Sequence, residues 1–188
     1  MKNKVPESEN ESKNKIIKEI YEKYANDILI YLYRCTNNYH LACDLLQDTF
    51  LNFIRIFSDK ELIEESKAKI YLFQTAKNLF INNYRKIKKQ VILSYNDEIE
   101  TKQNTSTQIN PEEQVLNIED QKIKEKMLNE LLEHLDQEEK TIIILRYNLD
   151  LKLEEIAEIM NKSISSISRR IQKIQKKLLK IAQNKKFL

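Results

Sequence analysis

Glycine is absent from all 188 residues, tryptophan is absent, and proline occurs only at Pro6 and Pro111. Hairpin turns and glycine-rich phosphate loops both rely on residues that accept positive φ at little steric cost, so their absence argues against a β-rich fold. Cysteine and histidine are nearly as scarce. Cys35, His40 and Cys43 lie close together in sequence, but they leave zinc one ligand short and match no usual spacing. Two cysteines imply no disulfide framework, which suits a reducing cytosol. The opening MKNKVPESENESKNK has no apolar run, so it reads as neither signal peptide nor membrane anchor. The longest apolar run, within Thr141 to Leu145, is far too short to span a bilayer. These features predict a cytoplasmic protein without membrane insertion. No nucleophile–base arrangement or metal set is visible, so neither an enzyme nor a bound cofactor or metal is expected.

What is present is helix former. Lys, Glu, Leu, Ile, Gln and Asn dominate, and the class is all-α. The net charge of +3 hides a strong segregation. Residues 66–95 carry +7 and 161–188 carry +9, neither with a single Asp or Glu, whereas 96–142 carry −8. A solvated helix face normally mixes signs for i,i+4 pairing, so two acid-free basic blocks point to two surfaces for a polyanion.

Apolar periodicity divides the chain into two small helical domains joined by a flexible linker. Residues 1–14 are expected to be disordered. Residues 15–89 hold three helices, from about Lys15 to Arg34, His40 to Phe57 and Lys67 to Lys88. Residues 90–119 lose the period, contain NTSTQINP and read as a tether. Residues 120–188 form a four-helix, helix-turn-helix domain. There Asp136, with Glu139 three residues on, forms a capping-box pattern.

The segment LKLEEIAEIMNKSISSISRRIQKIQKKL contains a helix, a tight turn and a second helix. Ala157 provides the small side chain needed where the two helices cross. Asn161 provides the next best residue to glycine for a left-handed turn. Ser163 caps the last helix, whose Ile164, Ile167, Ile171, Ile174, Leu178 and Ile181 form an apolar seam. Ser165, Ser166 and Ser168 are short enough to let the helix start approach phosphates, and Arg169, Arg170 and Lys173 can reach base edges in a major groove.

Read together, IYEKYANDILIYL, ACDLLQDTFLNFIRIF, IYLFQTAKNLFINNYRK and the segment from LLEHLDQEEK onward resemble an extracytoplasmic-function (ECF) sigma factor of bacterial RNA polymerase over roughly residues 16–89 and 122–182. The resemblance implies a transcription-initiation factor that binds core polymerase through the clamp helices of its largest subunit and through its flap, and that recognises and opens promoter DNA. It also admits an anti-sigma factor as partner. Carried onto matching residues, it assigns polymerase binding to Asp44, Leu45, Gln47, Asp48 and Phe50. Minus-ten contacts fall to Lys77, Asn78, Asn82, Arg85 and Lys86, and minus-thirty-five contacts to the last helix. The family's base-capturing loop corresponds to about Ser58 to Ser66, and Tyr71 stands where a Trp is usual; here it is read as core. Asn82 replaces a common Asp, while Ser165 and Ser168 replace a usual Gly and a usual basic residue. A stand-alone helix-turn-helix regulator, dimeric and binding a palindrome without polymerase, is the competing expectation. It leaves the DLLQDTF stripe and the first basic block without a use.

Overall fold

The computed structural model describes residues 7–57, 64–94 and 118–184, which form seven α-helices and no strand. They divide into two units, one holding the first three helices and the other the last four. The expected tether lies largely outside the described residues, as does the 58–63 part of the expected base-capturing loop.

In the first unit, α1 (Glu7–Thr36), α2 (Tyr39–Phe57) and α3 (Glu65–Ser94) all pack against one another. α1 begins at Glu7, so residues 7–14, expected to be disordered, belong to the helix. Nothing in that stretch breaks a helix; it only lacks the apolar period that would reveal one. For the same reason α3 runs on to Ser94, into the expected linker. Ile28, Tyr31 and Leu32 of α1, Phe53 of α2, and Leu72, Phe73 and Ala76 of α3 are almost completely buried. Phe53 stacks on Phe57 with centroids 4.6 Å apart, and Tyr71, read as core, is half-buried at its edge and packs edge-on to Phe57 at 5.3 Å. The break between α1 and α2 turns on Asn37, at φ 51°, and on Asn38, whose Oδ1 accepts the Leu41 N–H at 3.0 Å.

In the second unit, α4 (Ile118–Glu133), α5 (Gln137–Ile143) and α6 (Leu153–Met160) each pack on α7 (Ile164–Asn184). The Asp136 capping box is present: Asp136 Oδ1 accepts the Glu139 N–H at 2.7 Å, and Glu139 Oε2 accepts the Asp136 N–H at 3.1 Å. The apolar run that α5 enters at Thr141 does not stay α-helical to its end. Instead it widens into a π turn over Ile144–Asn148, where the Leu149 N–H reaches back five residues to the Ile144 carbonyl at 3.2 Å. The run Thr141 to Leu145 is buried throughout. Thr141 and, in the first unit, Thr49 are the buried polar residues among those described. Each hydroxyl donates to the carbonyl four residues back in its own helix. A chain without glycine must make its left-handed turns otherwise, and it uses Asn37, Asp150 and Asn161.

Candidate nucleic-acid interface

Asn161 ends α6 at φ 52°, ψ 50°, and the Lys162 N–H returns to the Ala157 carbonyl at 2.9 Å. This left-handed cap swings the chain so that α7 can start three residues later, at Ile164. Ser163 Oγ accepts the Ser166 N–H at 3.3 Å, as expected of a cap. Ile167, Ile171, Ile174 and Ala182 are buried against the other helices, with Leu178 and Ile181 half-buried behind them. Ile164, the first residue of the helix, departs from this seam and is 45% exposed.

The face opposite the seam carries Ser165, Arg169, Gln172, Lys173, Lys176 and Lys180, all exposed. Arg169 Nε donates to the Ser165 carbonyl at 3.3 Å, which lays the guanidinium along the first turn. Ser166 and Ser168 are half-buried beside this face. Arg170 turns away from it: Nη2 lies 3.1 Å from Glu138 Oε2 on α5. Thus Ser165, Arg169 and Lys173 are brought together, Ser166 and Ser168 flank them, and Arg170 is engaged within the unit. Gln172 was not anticipated, although it lies seven residues after Ser165 and three after Arg169, the spacing of one helix face.

On α3, Asn78, Asn82, Arg85 and Lys86 are exposed, and Lys77 is half-buried. Asn78, Asn82 and the Arg85–Lys86 pair follow one another a turn apart, so four of the five form a single stripe. Tyr84 is exposed nearby, its ring 6.4 Å from that of Phe80. Two carboxylates at the start of α3, Glu64 just before it and Glu65 its first residue, are paired locally. Glu65 Oε1 accepts from Lys23 Nζ and, at 2.7 Å, from Tyr24 Oη, while Glu64 Oε2 lies 2.6 Å from Lys67 Nζ. Lys23 and then Tyr24 hold the Glu65 carboxyl below its ordinary pKa, and Lys67 and then Ser66 do the same for Glu64.

Asp44, Gln47 and Asp48 form an exposed stripe on α2. Leu45 and Phe50, assigned to the same surface, are instead buried in the core. The apolar part of the surface is supplied by residues not anticipated there: Leu51, 59% exposed, with Ile54 and, from α1, Tyr21. They line a groove of about 650 Å³ together with Ile17, Gln47 and Phe50. Leu51 and Ile54 fall outside the buried arc of α2, a distinction that apolar character alone does not make. Among the described residues no group of His, Cys, Asp or Glu is placed to hold a metal, and no helix is long and apolar enough to cross a membrane.

Residues 20–90 match the model for sigma-70 region 2, and residues 125–178 match the model for sigma-70 region 4. The chain is 38% identical over 146 residues to the ECF RNA polymerase sigma factor SigM of Bacillus subtilis, covering 77% of this chain and 82% of SigM. It belongs to the ECF sigma factors. The RNA polymerase sigma factor YlaC of Bacillus subtilis is 32% identical over 169 residues, covering 87% of this chain and 90% of YlaC. The fold resembles that of the sigma factor RpoE, solved in complex with the anti-sigma factor NepR from Bartonella quintana, with a TM-score of 0.66 at 22% identity, over 90% of this chain and 98% of that one. As an ECF sigma factor the chain directs RNA polymerase, a non-catalytic role, and the presence of both regions disfavours the stand-alone regulator.

Proposed function

We propose that this sigma factor docks on core polymerase through the α2 stripe of Asp44, Gln47 and Asp48 and the adjoining groove of Tyr21, Leu51 and Ile54, and reads a promoter with α3 and α7. One observation carries this reading: the same three-helix unit has an acidic–apolar surface on α2 and an acid-free basic stripe on α3. The first suits a basic, partly apolar partner groove, and the second suits a nucleic-acid backbone.

Lys77, Asn78, Asn82, Arg85 and Lys86 contact the nontemplate strand around the minus-ten element. Opening the duplex requires no chemistry: unstacking costs a few kcal/mol per base, which capture of flipped bases and phosphate contacts offset. α7 lies in the major groove at the minus-thirty-five element. There Arg169 and Lys173 suit guanine edges, Gln172 suits adenine, and the exposed Ile164 can meet a thymine methyl. The helix start, with Ser165, Ser166 and Ser168, approaches phosphates. The factor works in the cytoplasm with polymerase, and an anti-sigma factor that covers the α2 surface is a further partner in this reading.

Mixing the purified chain with core polymerase and separating the complex by size tests it. Co-elution with polymerase, together with polymerase-dependent retention of promoter DNA, is expected. DNA binding as a dimer that ignores polymerase would overturn it.

A further inference from the structure

Two cations of the basic C-terminal stretch are directed at a single carboxylate. Lys162 Nζ lies 2.9 Å from Glu138 Oε1, and Arg170 Nη2 lies 3.1 Å from Glu138 Oε2. The three residues come from the first turn of α5, the turn between α6 and α7, and the second turn of α7. Each side chain is only about one-third exposed, at 31%, 33% and 34% for Glu138, Lys162 and Arg170, and Glu138 Oε1 is shut off from solvent. Charges so placed are screened less than surface pairs, and separating them leaves a half-buried carboxylate without its partners. Arg169 and Lys173, on the neighbouring face, are exposed, and the Arg169 Nε donates within its own helix to the Ser165 carbonyl.

We infer that Glu138 is a specificity-setting residue: it withholds Arg170 and Lys162 from DNA phosphates and fixes the start of α7 against α5. This rests on the reading of α7 as the DNA-facing helix. Phosphate contacts raise affinity for every sequence alike, whereas base contacts discriminate. A carboxylate that occupies two cations beside the groove therefore lowers binding to random DNA more than binding to the correct site. It also stops the Arg170 fork from dragging α7 towards whichever phosphate is nearest, so Arg169, Gln172 and Lys173 keep one register against the bases. DNA and Glu138 compete for the same two cations, and the outcome of that competition sets the discrimination ratio.

The test measures binding of the full-length chain to a duplex selected by the wild type from random sequence, and to a scrambled duplex, over a range of salt concentrations. Glu138→Gln is expected to steepen the salt dependence on the scrambled duplex by up to about 1.8 in log K against log salt, two phosphates at about 0.9 each. It is also expected to strengthen scrambled binding several-fold more than selected binding. An unchanged slope with an unchanged ratio overturns the inference. A second comparison leaves Glu138 in place. Arg169→Gln should narrow the ratio between the two duplexes, and Arg170→Gln should leave the slope nearly unchanged; a loss of about 0.9 of slope in Arg170→Gln, that of a full phosphate contact, overturns the role of Glu138. If Arg169→Gln alters neither slope nor discrimination, the reading of α7 falls, and this inference with it.

Discussion

Glu139 Oε2 lies 2.7 Å from Lys177 Nζ while the same oxygen accepts the Asp136 backbone N–H, so the cap of α5 is also an anchor for α7. Asp136→Ala removes the side-chain half of the capping box and should cost about 1 kcal/mol. Glu139→Ala removes the other half and the tie to α7, for a loss of about 1–2 kcal/mol. Urea unfolding of the full chain orders the two; Asp136→Ala more harmful than Glu139→Ala would contradict the dual role.

At Asn161 the backbone conformation decides. Any β-branched residue at φ 52° meets its own carbonyl, so Asn161→Val should destabilise by about 1–2 kcal/mol. Asn161→Gly should be neutral or slightly stabilising, since glycine adopts this φ without penalty. Equal destabilisation by both would show that the side chain, not the left-handed turn, is what matters.

Glu65 couples α1 to α3, and its protonation should be visible in acid. Its folded-state pKa is depressed by Lys23 and Tyr24, so the associated stability is present above the ordinary Glu value of 4.5 and is lost as pH falls below it. Glu65→Gln should unfold more readily at neutral pH yet lose less on acidification than the wild type. Parallel pH profiles would remove Glu65 from this role.

Polymerase capture should depend on charge at one exposed α2 position. Asp48→Arg is expected to abolish retention by core polymerase with the helical circular dichroism unchanged, because the residue is exposed and no packing is lost. Leu51→Asp should weaken capture at least about tenfold, equivalent to about 1.4 kcal/mol. Retention at wild-type strength by both variants would place the polymerase surface elsewhere.

Much of this was legible in the sequence because it depends on neighbours in the chain. The Asp136–Glu139 box, the left-handed Asn161 and the Ser163 cap each follow from residues within four positions. The seam of α7 follows from helical period. What was missed depends on residues far apart or on geometry without a pattern. Glu138 and Arg170 are thirty-two positions apart, so no local rule pairs them, and an arginine in an acid-free block reads as a DNA contact. Leu51 and Ile54 look like core until the packing of α1 fixes which arc of α2 is covered. The π turn at Ile144–Asn148 has no proline or glycine to announce it, and residues 7–14 are helical without an apolar stripe.

The most direct test is run-off transcription from a library of genomic fragments, with core polymerase and the chain added separately and together. A promoter-directing sigma factor predicts discrete transcripts only when both are present, lost with Asp48→Arg and with Arg169→Gln combined with Lys173→Gln. Transcription from core polymerase unchanged by the chain, alongside tight palindrome binding by the chain alone, would contradict it.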